Sequence, residues 1–270
     1  MDLKPERKGP NMIERQRTEH PADPLPLAGK TALVTGGSRG IGRELALALA
    51  GIGADLVLNY AGNDAMAEET RRAVAELGRR CLTAKVDLSD SDCAVRMAAL
   101  AEQVDILVLN ASLQIRRPWQ QITAEEMERQ ISCNFRANLL LIQQYAPAMT
   151  ERRWGRIITV GSVQEARPHP DMLVYSSTKA ALTHMARSLA VQLAPYGVTV
   201  NSIAPGVILT DRNTVALQDE AYQQAVLARI PLGDFGQPSD FAGLIRLLCT
   251  EEGRYITGQN LFVDGGMSIG

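Results

Sequence analysis

The sequence predicts an α/β fold, a doubly wound sheet of seven parallel strands with helices on both faces. Three observations predict it. Short apolar, β-branched runs alternate with helical patterns from residue 31 to the C-terminus. The apolar runs are nearly continuous, as expected of strands covered on both faces. A glycine-rich turn, "TGGSRGIG", joins the first strand to the first helix.

"TALVTGG" is the first strand and "IGRELALALAGIG" the helix after it. "ADLVLNY" is the second strand, followed by the helix "DAMAEETRRAVAELG" with Gly78 as its C-cap. "CLTAKVD" and "DCAVRMAALAEQ" are the third strand and helix, and "VDILVLN" is the fourth strand. "TAEEMERQISCNFRANLLLIQQYAPAMT" reads as one long helix. "GRIITVGS" is the fifth strand, "YSSTKAALTHMARSLAVQLA" a helix and "VTVNSIA" the sixth strand. "DEAYQQAVLARI" and "PSDFAGLIRLLCT" are helical, and "NLFVDGG" is the last strand. Parallel strands need crossovers, and these helices supply them.

The 270 residues suit one large domain. Hydrophobic content is 46% and charged content 21%, a balance that excludes a wholly disordered chain. A net charge of −2 with 4% aromatics, and no basic cluster interleaved with them, argues against nucleic-acid binding. No apolar stretch reaches membrane-span length, and the N-terminus lacks the apolar core of a secretion signal, so the expected location is cytoplasmic. Cys81, Cys93, Cys133 and Cys249 are dispersed and read as reduced packing residues. His20, His169 and His184 show no metal-ligand spacing, and no metal is expected. Residues 1–26 are rich in charge and proline, the composition of a flexible tail, with translation from Met12 as the alternative. Residues 27–270 are expected to form one domain.

The turn carries the first functional signal. Gly36, Gly40 and Gly42 permit a tight turn, close approach of a pyrophosphate to backbone, and close helix–strand packing. Ser38, Arg39 and Ile41 complete a loop that opens onto a helix N-terminus, where free N–H groups suit phosphate. This context makes the fold Rossmann-type and the ligand a dinucleotide. An NAD-preferring site places Asp or Glu about 20 residues on; here that position is Tyr60. Arg39 can meet a 2′-phosphate as a fixed cation, so NADP(H) is the expected cofactor. The alternative for Arg39 is a solvated surface residue.

The second signal is "YSSTK". Tyr175 and Lys179 are four residues apart at the start of a helix, hence on one face, one turn apart. A cation beside a phenol favours phenolate, so Tyr175 is expected to have a lowered pKa and to move protons.

With these motifs in order, residues 28–270 resemble the short-chain dehydrogenase/reductase family. The resemblance extends to Asp87 with Leu88 in "KVDLS", Asn134 in "SCNFRAN" and Ser162 in "TVGS", 13 residues before Tyr175. It extends further to Pro205 and Gly206 in "IAPGV", and to Thr210 beside the nicotinamide carboxamide. Where the family usually has Asn-Asn-Ala-Gly, this chain has "LNAS": Asn110 and Ala111 fit, Leu109 and Ser112 depart. Ser112 raises the question of whether its backbone needs a glycine conformation and whether cofactor affinity changes.

The resemblance implies hydride transfer between nicotinamide C4 and a carbonyl or alcohol carbon. It gives Tyr175 as proton donor, Ser162 as hydrogen-bond donor to the same oxygen, and Lys179 as tuning cation bonded to the nicotinamide ribose. Asn134 would hold a water linking Lys179 to solvent. It also implies a homotetramer and a substrate lid about 207–232, whose apolar residues include Ile208, Leu209, Val215, Leu217, Tyr222 and Val226. Gln164, Glu165, Arg167 and His169, between Ser162 and Tyr175, either serve a polyol or face solvent.

The chain is most similar in style to bacterial 3-oxoacyl-[acyl-carrier-protein] reductases. Their carrier protein docks on two basic residues; one matches Arg153, the other position holds Tyr196. An acyl-thioester substrate with acyl carrier protein as partner is therefore one expectation. A sugar or polyol dehydrogenase or a general carbonyl reductase is the second. A non-catalytic NADP(H)-binding sensor or scaffold is the third.

Overall fold

The structure, a computed structural model, describes residues 25–214 and 216–270. Residues 1–24 of the expected tail, with Met12 and His20, lie outside the described residues, as does Val215 of the expected lid.

β1 (Thr31–Val34) leads through the glycine turn into α1 (Gly40–Ala50). β2 (Asp55–Tyr60), α2 (Asp64–Glu76), β3 (Cys81–Lys85), α3 (Cys93–Leu100) and β4 (Ile106–Leu109) follow. The Asn63 side chain caps α2 by accepting from Met66 N, and Gly78 lies just beyond that helix with φ +75°. β5 is Gly155–Val160 and β6 Val198–Pro205, with β7 (Asn260–Val263) last. All pairings are parallel, in the order β3-β2-β1-β4-β5-β6-β7. The order reverses between β1 and β4, and the crevice at their carboxyl ends is where such sheets bind ligands.

One expected element differs. The segment read as a single helix is α4 (Ala124–Ile131), a π-helical turn (Ser132–Arg136) and α5 (Ala137–Glu151). α4 starts on a capping box formed by Thr123 and Glu126. The wide turn carries Asn134 inward, fully buried. Such turns recur at functional sites, and no glycine or proline lies within Ser132–Arg136 to announce this one.

α6 (Leu173–Leu193) packs on β6 and carries Tyr175 and Lys179 in its first two turns. After β6 come α7 (Asp211–Thr214) and α8 (Glu220–Leu227), then a 3-10 turn leading into α9 (Ala242–Cys249). Two apolar clusters cover the two sheet faces. One joins Leu33, Val57, Leu107 and Leu109 to α3, α5 and α6; the other joins Val34, Leu58, Ile106 and Val108 to α1 and α9. Leu109, which departs from the family pattern, is fully buried in the first cluster as a packing residue. In the region expected to be a lid, Leu217, Val226 and Ile230 form a small core with Phe235, Met267 and Val163, next to Ser162. Ile208 is 3% exposed and packs with the α1 side of the sheet.

Candidate active site

The glycine turn is built so that nothing larger fits. Gly36 and Gly40 have φ of +62° and +54°, and a Cβ on Gly42 would strike the Gly36 carbonyl and the Asn110 amide. Asn110 ties this turn to the end of β4. Its Nδ2 donates to Thr35 O at 2.9 Å and Gly36 O at 3.2 Å. The Thr35 hydroxyl accepts from the N–H groups of Asn110 (2.9 Å) and Ala111 (3.0 Å). From α2, Thr70 Oγ1 donates to Ser38 O at 3.0 Å. The first turn of α1 has no side-chain cap and no acidic residue, which leaves its N–H groups for an anion.

Around this turn, Tyr60 ends β2 with its phenol bonded to Asp64, which raises its pKa. Asp64 is occupied by Lys85 at 2.9 Å, so the one carboxylate just beyond β2 is already paired. Arg39 is exposed and lies 3.7 Å from Asp211. Asp87 accepts from Ser89 N (2.8 Å) and Ser89 Oγ (2.7 Å), which lowers its pKa. On the far side, Gly206 N donates to Val263 O, and Thr210 touches the position a Gly40 Cβ would take.

Ser162 follows β5 with an extended backbone. Its N–H donates to Glu165 Oε1 at 2.8 Å, and its Oγ accepts from Gln164 N at 3.2 Å, leaving the hydroxyl proton free to donate outward. Tyr175 and Lys179 are 7% and 1% exposed. Lys179 Nζ lies 5.6 Å from the Tyr175 ring centroid and donates to Val160 O at 2.6 Å. Side-chain hydrogen bonds join the Tyr175 phenol to Ser162 and to Ser112.

Every predicted site residue except Asn134 and Pro205 lines one continuous cavity of about 530 Å³. Those two lie behind its wall. Asn134 Oδ1 accepts from Leu113 N at 2.7 Å, while its Nδ2 donates to Leu113 O at 2.8 Å and Thr178 Oγ1 at 3.1 Å. Its carbonyl accepts from Asn138 Nδ2 at 2.6 Å. The side-chain amide thus fixes the loop after β4.

The expected lowering of the Tyr175 pKa is corrected. Burial raises it, because the anion loses hydration. The cation working against that rise is Arg212, helped by hydrogen bonds from Ser162 and Ser112. Burial brings Lys179 down to about 8, and the Arg212 charge acts in the same direction.

Sequence reasoning missed Thr35 and Arg212, and left Glu165 between serving a polyol and facing solvent. Glu165 does not face solvent: it sits behind Ser162, with Oε2 accepting from Asn260 Nδ2 at 3.1 Å. Burial raises its pKa against hydrogen bonds from Thr183, Ser162 N and Asn260 and the charge of Lys179. Arg212, on α7, donates to Ser112 Oγ (3.0 Å) and Ser112 O (2.9 Å). Ser112 itself needs no glycine backbone, since Arg153 is the non-glycine residue with positive φ among those described. The one signal available in advance was Ser112 standing where a glycine is usual.

Arg153 Nη2 donates to Pro195 O at 3.0 Å, beside Tyr196, which is half exposed. Arg153 sits before β5 and Tyr196 before β6, while Ser162 follows β5. The intervening strand of 6 residues makes the separation about 20 Å.

A family model described as "Enoyl-(Acyl carrier protein) reductase" matches residues 36–268. The chain is 37% identical over 245 residues to the 3-oxoacyl-[acyl-carrier-protein] reductase FabG of Staphylococcus aureus, covering 88% of this chain and 98% of that one. It is 35% identical over 248 residues to the L-rhamnose 1-dehydrogenase (NAD(P)(+)) of a Sphingomonas species, covering 90% and 98%. Among solved structures, a 3-oxoacyl (acyl-carrier-protein) reductase from Agrobacterium tumefaciens with NADP bound is similar at a TM-score of 0.85. It is 33% identical, with 88% of this chain and 94% of that chain covered.

Proposed function

The chain belongs to the short-chain dehydrogenase/reductase family, and on that premise we propose that it is an NADP(H)-dependent oxidoreductase interconverting a ketone and a secondary alcohol. The observation that carries this reading is the meeting of Ser162, Tyr175 and Lys179 with the glycine turn in one cavity. The turn fits a dinucleotide: its glycines admit no side chain, and α1 offers an uncapped N-terminus. Gly36, Ser38, Gly40, Ile41 and Gly42 would hold the pyrophosphate side, with Asp87 and Leu88 toward the adenine and Asn110, Ala111, Pro205, Gly206 and Thr210 toward the nicotinamide. Arg39, without a free carboxylate near Tyr60, favours a 2′-phosphate. Bound there, the cofactor supplies or takes up a hydride at its nicotinamide.

The chain's own residues handle the oxygen and its proton. Ser162 Oγ donates to the substrate oxygen and stabilises negative charge growing on it. Tyr175 gives that oxygen its proton in reduction and takes it back in oxidation. The high phenol pKa in the free chain keeps Tyr175 protonated at neutral pH, the form reduction needs. Lys179, cationic below about pH 8, stabilises the phenolate left behind.

For the substrate, the first reading is a 3-oxoacyl thioester of the kind the Staphylococcus relative's name describes, with acyl carrier protein as partner. The L-rhamnose dehydrogenase relative supports a second reading, a sugar or polyol dehydrogenase. Tyr196, at the second docking position, has no charge to pair with a carrier carboxylate, which favours the second reading. A homotetramer belongs to the same proposal. Val191 on α6 is 78% exposed and Phe262 on the β7 edge 38%, apolar surface that association would cover. The test is NADPH oxidation with a short 3-oxoacyl thioester beside a panel of ketoses and diketones, with NADH as control. Turnover of no member, with NADPH bound, would leave a binding protein in place of an enzyme.

A further inference from the structure

The charges lining the cavity are uneven. Toward the expected cofactor side, Arg39 has Asp211 and the Asp87 carboxylate feels Arg129. The rest of the charged lining is Lys179, Arg116, Arg212 and Arg229, with no carboxylate among them, and His169 lines the same region. Among the described residues, no acid lies within ion-pair distance of Arg116, Arg212 or Arg229. Arg116 and Arg229 both act on His169, so these three groups are neighbours, and Asp171 opposes them from outside the lining. Guanidiniums left without acids in a cleft form a site for an anion.

Arg212 stands nearest the chemistry. Its two terminal nitrogens donate to Ser112 O and Ser112 Oγ, a forked pattern that the two oxygens of a carboxylate would also satisfy. The same Ser112 side chain bonds the Tyr175 phenol, so the guanidinium is one side chain removed from the proton donor. A glycine at 112 would offer the carbonyl but no hydroxyl. A carbonyl oxygen held by Tyr175 and Ser162 therefore puts groups on the neighbouring carbon within reach of Arg212.

We propose that the substrate carries a carboxylate within about three bonds of the reacting carbon, as in a short oxo acid or its hydroxy acid, and that Arg212 grips it in bidentate fashion. The proposal rests on the oxidoreductase reading. It makes Arg212 a specificity-determining residue and Arg116 and Arg229 a cationic surround that draws the anion in; burial and these cations hold the neighbouring His169 toward its neutral form. A phosphate on a carrier arm belongs to the same anion class. It sits many bonds from the thioester carbonyl and would not reach Arg212 while that carbonyl is at Tyr175.

The test is calorimetry on the full chain saturated with NADP+, a complex that cannot reduce a ketone, so binding is read apart from turnover. Acetoacetate is compared with its methyl ester, and acetoacetyl phosphopantetheine with its dephosphorylated form. Acetoacetate is expected to bind at least about tenfold tighter than the ester, the size of one charge-assisted bond. Arg212→Gln should collapse that preference and Arg212→Lys restore part of it. Equal binding of acid and ester, binding of neither, or a preference that survives Arg212→Gln overturns the proposal. So does a preference seen for the phosphate pair alone, or a loss in Arg212→Gln confined to NADP+ affinity. Failure of NADP+ itself to bind is failure of the oxidoreductase reading, visible before either ligand is added. The proposal, which needs a reacting carbon, then falls with that reading.

Discussion

Asn134 satisfies both backbone polar groups of Leu113: its Oδ1 accepts from Leu113 N at 2.7 Å and its Nδ2 donates to Leu113 O at 2.8 Å. A buried amide thus works as a surrogate strand partner for the loop that carries Ser112. Removing it leaves that N–H and C=O without their side-chain partner. Asn134→Ala is expected to lower stability by about 2–4 kcal/mol, measured by urea unfolding. An unchanged midpoint and slope would show that this pairing contributes nothing.

Tyr175→Phe removes the proposed proton donor and keeps the ring. Turnover should fall by about a thousandfold or more, beyond what general acid catalysis alone loses, because no nearby side chain can substitute. NADPH affinity, followed by its fluorescence, should change only slightly. Near-normal turnover would remove Tyr175 from the reaction.

The pH dependence follows from Lys179, whose pKa of about 8 reflects burial first and the Arg212 charge second. Below that value the ammonium is charged and stabilises phenolate; above it the amine is neutral and does not. In the reduction direction kcat/KM should therefore hold below about pH 8 and fall as pH rises through it. The fall should disappear from the residual activity of Lys179→Met. A profile flat to pH 10 would contradict the assignment.

Cofactor choice tests Arg39. Its carboxylate partner Asp211 is itself exposed, so the guanidinium can leave it for a 2′-phosphate at little cost. Arg39→Ala should weaken NADPH binding by about tenfold, the worth of one charge-assisted bond, and leave NADH binding nearly unaltered. Equal losses for both cofactors would assign Arg39 to the shared pyrophosphate.

Glu165 is a positioning residue for Ser162, which it holds through the backbone N–H at 2.8 Å. Glu165→Ala should lower kcat by about tenfold to a hundredfold with little change in KM, since an unanchored Ser162 misplaces its hydroxyl. Glu165→Gln can keep the bond to Ser162 N, and Asn260, whose Oδ1 has no partner, can turn to accept from the new amide. That variant should recover most of the rate. Its charge loss should still move the upper limb of the pH profile down, because the carboxylate favours charged Lys179. Equal defects in Ala and Gln would reject the positioning role.

Much of this protein follows from local pattern. Continuous apolar strands alternating with helices require a parallel sheet, since crossovers are the only connection such strands allow. The glycine turn and the Tyr175–Lys179 spacing are legible for the same reason: a turn or one helical period sets which side chains share a face. Whatever depends on distant chain segments is not. Asn134 meets Leu113 21 residues away through a π-helical turn that the apolar periodicity does not encode. Glu165 reads as a surface acid until β7 brings Asn260 to it from 95 residues on. Arg212 is one more charged residue after β6 until packing carries it to Ser112, 100 residues earlier. The sequence by itself determined the fold class and the shared helix face of Tyr175 and Lys179, because those rest on short-range geometry. Only the tertiary structure decided how these groups are held and which cation acts on the phenol, because burial and long-range contacts, not spacing, set their electrostatics.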